Sequence, residues 1–372
     1  MRFLHTADWQ LGMTRHFLSS EAQARFSDAR LAAIRKIGKI AGEQECEFVV
    51  VCGDVFDANL LSPQVVGRAL EAMRSIPVPV YLLPGNHDTI DAGSVYRSAT
   101  FTRGCPPNVH VLAEPGVHEV APGLELVAAP LKVKHPLSDL PGDQCATLTA
   151  RPGVRRILVG HGAVDSLSPD PGNPATIRVG TLAEALSDGR IHYVALGDRH
   201  SATQIDGLPI WYSGAPEPTD FTETDPGNVL VVDLDLDLEA KVTNHRIGTW
   251  SFLAAERHLN STADVEEFGR WLAGFPDKDR TILKLGLVGT LSVGAHAQLE
   301  DLIEKHREVF ASLEVPGRRS DLAVLASDQD FTELGLTGFA ATAMTELVGA
   351  AAGNPAAQDA LSLLYRFVRS EA

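Results

Sequence analysis

Phe48-Val49-Val50-Val51-Cys52-Gly53-Asp54-Val55-Phe56-Asp57 is the stretch that decides the fold. The apolar run before Gly53 is too short for a free-standing helix and rich in β-branched residues, so it reads as a strand buried on both faces. The Gly-Asp that follows sets a turn and a carboxylate at the strand's end, where layered α/β folds place their reactive groups. The same unit recurs on either side. Phe3-Leu4-His5 is a first strand, and between Glu21 and Gln44 the apolar positions Phe26, Ala29, Ala33, Ile34, Ile37, Ile40 and Ala41 mark one face of an amphipathic helix. Pro63 to Ser75 reads as a helix and Val80 to Leu83 as a strand, with Pro77 and Pro79 punctuating the connection. This βαβαβ start predicts an α/β fold.

Further strands are expected at Leu124 to Ala128, Ile157 to Gly160, Tyr193 to Leu196, Ile210 to Ser213 and Val229 to Leu234, completing a two-layered β core flanked by helices. Around Gly248 the pattern changes to a helix from Ala263 to Ala273, a strand from Thr281 to Val288, a helix from Ala295 to Phe310 and strands near Leu313 and Leu322, a small α+β unit. Two more helices, roughly Leu336 to Gly349 and Ala356 to Ser370, close the chain; no repeat or low-complexity segment interrupts it.

The chain has 372 residues, long enough for a large domain with a smaller one appended. Hydrophobic residues make up 44% and charged residues 22%, the balance of a soluble globular protein, and no apolar run approaches membrane-spanning length. The opening Met1-Arg2-Phe3-Leu4-His5 reads directly as strand and lacks the features of a secretory signal, so a cytoplasmic location and no membrane partner are expected. Cys46, Cys52, Cys105 and Cys145 are scattered without a CxxC pair, which excludes a zinc knuckle or disulfide framework as the organising device. A net charge of −16 argues against binding nucleic acid through a broad basic surface. Bound divalent cations would offset part of that charge locally, so a cation-dependent nuclease is compatible with it.

Five polar motifs fall directly after predicted strands: Asp8-Trp9-Gln10, Gly53-Asp54-Val55-Phe56-Asp57, Gly85-Asn86-His87-Asp88, Gly160-His161-Gly162 and Gly197-Asp198-Arg199-His200. Singly, each is an ordinary strand-end group. In this order they resemble the metallophosphoesterase signature DxH, GDxxD, GNHD, GH and GHxH, over roughly the first 235 residues. Phosphoester hydrolysis with two cations about 3.5–4 Å apart needs a bridging carboxylate and oxygen and imidazole ligands converging from several strands.

The resemblance implies a four-layer metallophosphoesterase β-sandwich flanked by helices at 1–245, an α+β cap at 246–328 and C-terminal helices at 329–372. Carried over by position, Asp54 would bridge the cations; Asp8, Gln10 and His200 would complete one site, and Asn86, His161 and Asp198 the other. His87 would act on the substrate, and Asp57 would orient its imidazole. The nucleophile would be a metal-activated water or hydroxide attacking in line. Gln10 and Asp198 depart from the pattern, each standing where the family has His. Gln10 offers only a weak amide oxygen, and Asp198 adds an anionic one, moving preference away from zinc toward Mn²⁺, Mg²⁺ or ferrous iron.

Within that superfamily, FLHTADWQLG (3–12), GDVFDANLLSP (53–63), LLPGNHD (82–88) and WYSGAPEPTDF (211–221) are similar to SbcD-type DNA-repair nucleases. The protein-phosphatase arginine after GDxxD is absent, since Ala58 and Asn59 follow Asp57. This resemblance implies an Mn²⁺-dependent DNA exonuclease or endonuclease, a homodimer, and an SMC/ABC-type ATPase partner. Two alternatives stand beside it: a phosphodiesterase for a small substrate such as a cyclic nucleotide, and a catalytically degenerate scaffold. Arg15, His16 and Arg97 read as solvated or paired cations, and His5 and His110 as core or edge histidines. The apolar stripes at Phe339, Met344, Leu347 and Val348, and at Leu361, Leu364, Phe367 and Val368, suit either core packing or partner docking.

Overall fold

The computed structural model describes residues 1–168, 170, 172–234, 240–325, 338–351, 354, 356–357, 360 and 363–364. The chain forms two compact units, one of Met1–His16 with Gln23–Trp250, the other of Phe17–Ala22 with Ser251–Ala372.

The larger unit runs β1 (Arg2–Thr6), α1 (Ser20–Glu43), β2 (Val49–Cys52), α2 (Pro63–Arg74), β3 (Val80–Leu83), α3 (Ala99–Gly104), β4 (Val109–Val111), β5 (Gly116–Ala121), β6 (Leu124–Ala128), α4 (Leu140–Thr147), β7 (Arg155–His161), α5 (Val179–Ser187), β8 (Tyr193–Gly197), β9 (Thr203–Gln204), β10 (Ile210–Tyr212), β11 (Asn228–Leu234) and β12 (Ala240–Arg246). α2 starts where its sequence says it should: the Ser62 hydroxyl accepts from the Val65 amide, and Pro63 occupies the first turn, where a missing N–H costs nothing.

One six-stranded sheet has the order β12-β11-β1-β2-β3-β4 and the other β5-β6-β7-β8-β10-β9. β1 to β4 are mutually parallel, as are β6, β7, β8 and β10; antiparallel pairing closes both edges of the second sheet and the β12 edge of the first, whose other edge is the parallel strand β4. Alternation along the apolar runs sorts residues between layers. Leu4, Val49 and Val51 face Ile34 and Ile37 of α1 and Leu70 and Met73 of α2. Their neighbours Phe3, Val50 and Cys52 face Leu126, Val159 and Ala195 of the second sheet. On that sheet's outer side Leu158, Val194 and Leu196 meet Val179, Leu182 and Ala185 of α5. The result is helix, sheet, sheet, helix: the four-layer sandwich, with aromatic packing of Phe3 on Phe48 and Tyr193 at the inter-sheet centre.

The smaller unit holds β13 (Ser251–Leu259), α6 (Thr262–Ala273), β14 (Thr281–Ser292), α7 (Val293–Arg307), β15 (Ser312–Glu314), β16 (Asp321–Leu325) and α8 (Gly338–Ala351). All its strand pairs are parallel, with β14 pairing β15 along its first half and β16 along its second. Phe268, Leu272, Leu285, Leu299 and Ile303 fill the space between sheet and helices. Met344, Leu347 and Val348 of α8 pack on Val293, Ala297 and Val324, so that part of the stripe is core, whereas Phe339 is 89% exposed. Leu361, Phe367 and Val368 lie outside the described residues.

Candidate metal centre

All five motifs come together at the C-terminal ends of the parallel strands. Asp8 and Gln10 follow β1, Asp54 and Asp57 follow β2, Asn86 and His87 follow β3, His161 ends β7, and Asp198 and His200 follow β8. Two opposed sheets can deliver ligands to one point only if they approach closely there. At Gly197 they do: a Cβ would sit 1.8 Å from the Cys52 carbonyl oxygen and 2.9 Å from the Ala7 Cβ, so only glycine lets β8 meet β1 and β2 at this level. The chain turns sharply at the strand ends. Asp8, Gln10, Asp54 and Asp198 all take positive φ, at 53°, 49°, 53° and 95°, a conformation costly for non-glycine residues and concentrated here at the candidate ligands. Main-chain bonds from Asp8 N to the Gly53 oxygen (3.1 Å) and from Gln10 N to the Asp54 oxygen (2.9 Å) lock the first two loops in register.

The side chains then form a nest of acceptors. One ligand atom each from Asp8, Asp54 and His161 lies within 4.8 Å of the other two, and all three residues are buried. His161 Nδ1 donates to the Cys52 carbonyl oxygen at 2.8 Å, which leaves Nε2 directed inward, 3.5 Å from Asp54 Oδ1 and 3.8 Å from Asp198 Oδ1. The Asn86 amide oxygen lies 2.8 Å from His161 Nε2 and 3.1 and 3.2 Å from the Asp54 carboxylate oxygens. An amide oxygen aimed at a carboxylate is repulsive unless a cation sits between them; without one, a half-turn of the amide would present its NH₂ to Asp54 instead. The donor set fits a divalent cation.

The electrostatics agree. Burial raises the Asp8 carboxyl to about 7, against the pull of His200 and His161, and the nearby Asp54 and Asp198 add to the rise. Burial disfavours the His161 imidazolium, yet Asp54, Asp8 and Asp198 outweigh it and lift the group to about 9. Both shifts are those of a site short of positive charge.

His200 is held from behind. Its Nδ1 meets the Thr219 hydroxyl at 2.7 Å and Glu223 Oε1 at 2.9 Å, while Nε2 lies 4.0 Å from Asp8 Oδ1. Glu223 also accepts from the Thr219 amide at 2.9 Å. A carboxylate behind a ligating imidazole fixes the tautomer and raises its basicity. Burial opposes charge on His200, but the Glu223 bond and Asp8 raise it. Sequence reasoning did not single out Glu223 or Thr219, although Thr219 lies inside the quoted WYSGAPEPTDF stretch.

Gln10 and His87 make these contacts. Gln10 turns its Nε2, not its oxygen, to the candidate bridging carboxylate, donating to Asp54 Oδ2 at 3.0 Å, and its buried Oε1 has no partner. His87 Nδ1 donates at 2.8 Å to the main-chain carbonyl of Asp57, not to its carboxylate. Burial raises the Asp57 carboxyl, and nearby His87 and Arg15 draw it down, so its influence on His87 is through charge across space. His87 N donates to Asp54 Oδ1 at 2.9 Å, and its Nε2 stands 3.9 Å from Asp54 Oδ2 with the side chain 37% exposed. It opens into a cleft of about 520 Å³ that Arg15, Asp57, Asp198, Arg199 and His200 also line.

Asp88 and Arg30 support the loops. Asp88, fully buried, accepts from the Gly85 and Phe56 amides and the Tyr96 hydroxyl, at 2.7, 3.1 and 2.6 Å, joining the second and third motif loops. Buried Arg30 donates to the carbonyl oxygens of Trp9 (3.1 Å) and Pro218 (2.9 Å), joining the first loop to the one carrying Thr219 and Glu223. Arg15 also donates to the Thr219 oxygen, so it is paired, as expected. His5 is a satisfied core histidine, bonded to the Tyr193 hydroxyl and the Leu196 oxygen.

The family model for calcineurin-like phosphoesterases matches residues 1–201, more than half of the chain. The chain belongs to the calcineurin-like phosphoesterase family. Among its relatives, the D component of the SbcCD nuclease of Bacillus subtilis is 30% identical over 132 residues, 34% of this chain and 32% of that protein. The DNA double-strand break repair protein Mre11 of Archaeoglobus fulgidus is 33% identical over 91 residues, 24% of this chain and 19% of that protein. The D component of the SbcCD nuclease of Rhodobacter capsulatus is 28% identical over 281 residues, 60% of this chain and 64% of that protein. The chain thus spans less than two thirds of each of these relatives. As a member of a metallophosphoesterase family it is an enzyme of the hydrolase class that uses divalent metals, and none of its described helices is long and apolar enough to cross a membrane.

Proposed function

We propose that this phosphoesterase is a two-metal phosphodiesterase that cleaves DNA in repair, as an exonuclease or endonuclease, with Mn²⁺ as the working cation. The observation that carries the reading is the nest of acceptors around Asp54, with the exposed His87 ring at its mouth. Asp8, Gln10, Asp54 and His200 would hold one cation, with Gln10 offering its oxygen after a half-turn of the amide, and Asp54, Asn86, His161 and Asp198 the other. Such cations supply Lewis-acid polarisation of the phosphoryl oxygens and a lowered pKa for bound water.

The chain's own groups then have separate tasks. The Nδ1 bond from His87 to the Asp57 carbonyl holds the ring so that Nε2 faces the cleft, where it can donate a proton to the leaving oxygen. Arg15 and Arg199 in the same cleft suit a phosphate better than a neutral substrate.

Similarity to the SbcCD nucleases and Mre11 supports DNA as substrate, a homodimer, an SMC/ABC-type ATPase partner and a cytoplasmic setting. Residues 246–328 would then serve as the cap, and Phe339 of α8, exposed, is available to a partner. The net charge of −16 favours a second reading, a diesterase for small substrates. Hydrolysis of a labelled linear duplex with Mn²⁺, beside bis-p-nitrophenyl phosphate, separates the two. Degradation of the duplex that falls by about 10²–10⁴ in His87→Ala and vanishes in Asp54→Ala supports the nuclease. Turnover of the small diester alone supports the second reading, and turnover of neither leaves a scaffold.

A further inference from the structure

Asp198 borders a second, narrower cleft of about 170 Å³, which Asn86 and His161 also line, so this cleft opens from the candidate metal centre itself. A loop carrying Lys134 and His135 forms part of its wall, and Ser168, Asn173, Ala175 and Thr176 form another part. The root of that loop is tied to the third motif: Leu131 N donates to the Pro84 oxygen at 3.1 Å, and Ile90 N donates to the Leu131 oxygen at 2.9 Å. Beyond the root the side chains are uncommitted. Lys134 and His135 are exposed, and neither has a hydrogen bond or ion pair among the described residues. The cations of the first cleft differ, since Arg15 donates to the Thr219 oxygen and Arg199 Nε to the Thr203 hydroxyl at 3.0 Å.

Two further residues of the same loop are anomalous. Val133 is 55% and Leu137 86% exposed, large apolar side chains that flank Lys134 and His135 in sequence. A stretch that offers an unpaired ammonium, an imidazole and bare apolar surface together, beside a phosphoester centre, matches the two halves of a nucleotide: an anionic phosphate and a base with an apolar face. In a chain with a net charge of −16, such a local patch is the means by which a polyanion could be held at the site without a basic surface elsewhere.

We propose that this cleft is a subsite for the nucleotide adjoining the scissile phosphate, with Lys134 and His135 on its phosphate and with Val133 and Leu137, which lie outside the cleft lining on the same loop, offering apolar surface to its base. The proposal rests on the DNA phosphodiesterase reading and narrows it to substrates that extend at least one nucleotide past the cut. A small diester occupies the metal centre without reaching the subsite.

The test compares the full chain with the Lys134→Ala/His135→Ala double variant and with Lys134→Arg, on an oligonucleotide and on bis-p-nitrophenyl phosphate, with Mn²⁺ stoichiometry measured for each. Oligonucleotide binding is followed by fluorescence anisotropy across a salt series. In the double variant the oligonucleotide KM should rise on the order of tenfold and the salt slope of binding fall by about one to two. Turnover of the small diester and metal stoichiometry should stay unchanged, and Lys134→Arg should keep most of the oligonucleotide affinity. An unchanged KM and salt slope in the double variant would overturn the subsite while leaving the nuclease reading intact. Equal loss on both substrates would also overturn it, since the loop would then be acting through the metal centre. If the unsubstituted chain turns over the small diester and neither binds nor cuts the oligonucleotide, the DNA reading falls and the subsite with it.

Discussion

Glu223 shows how much of the centre depends on residues that hold no cation. It lies 23 positions from His200, yet its carboxylate meets Nδ1 at 2.9 Å and sets which ring nitrogen faces Asp8. Glu223→Gln keeps the size and removes the charge, and divalent cation affinity should drop roughly 10- to 100-fold in a calorimetric titration. An affinity unchanged within error would mean that His200 needs no such support. At Gln10 the opposite result is expected. Its amide bonds Asp54 through the NH₂ and could offer a cation only a weak oxygen after a half-turn, so Gln10→His should tighten the weaker binding step, and a looser one would show that the amide serves there better than an imidazole. His5 carries a pH dependence of stability. Burial lowers its pKa from 6.5 to about 3, so the unfolded chain takes up a proton that the folded chain refuses. The contribution is therefore fully present above about pH 6.5 and is lost as pH falls toward 3, by up to about 1.4 kcal/mol per pH unit. Chemical unfolding between pH 7 and 5 should show a shallower decline in His5→Gln than in the unsubstituted chain; parallel declines would assign the dependence elsewhere.

At the scale of elements, the site is a property of strand ends. The runs before Asp54, Asn86 and His161 were legible because a buried parallel strand is continuously apolar and stops at a glycine or a proline, a contrast that survives without tertiary information. Edge elements carry no such contrast. β12, with the sequence AKVTNHR, and β13, with SFLAAERHL, alternate or mix polar residues on largely solvated strands and were not anticipated. Nor was α4, whose LPGDQCAT sequence contains both helix breakers, or α5, whose preceding Arg178 makes no side-chain cap. Roles that depend on contacts between loops, those of Glu223, Asp88 and Arg30, follow no spacing rule and became visible only once the loops were placed. The loop after β3 offers a direct test. A Cβ at Gly85 would lie 2.3 Å from Asp54 Oδ1 and 2.4 Å from Asp54 N, so Gly85→Ala must displace the carboxylate proposed to bridge the cations. Metal uptake should be abolished while the far-UV circular dichroism spectrum is kept; normal uptake would show that Asp54 is not where the cations meet.

For the molecule as a whole, two sheets converge on a point where the chain gathers negative charge, and divalent cations are the counter-charge that makes the arrangement sensible. A two-layered β core flanked by helices followed from alternating β and α patterns, and the ligand set from the resemblance of five strand-end motifs to the metallophosphoesterase signature. The polarity of individual amide groups did not follow from either. Calorimetric titration of the metal-free chain with Mn²⁺, beside Asp54→Ala, tests this account most directly. Two cations per chain, falling to one or none without Asp54, is the predicted result; a single cation in the unsubstituted chain, or two retained in Asp54→Ala, would contradict it.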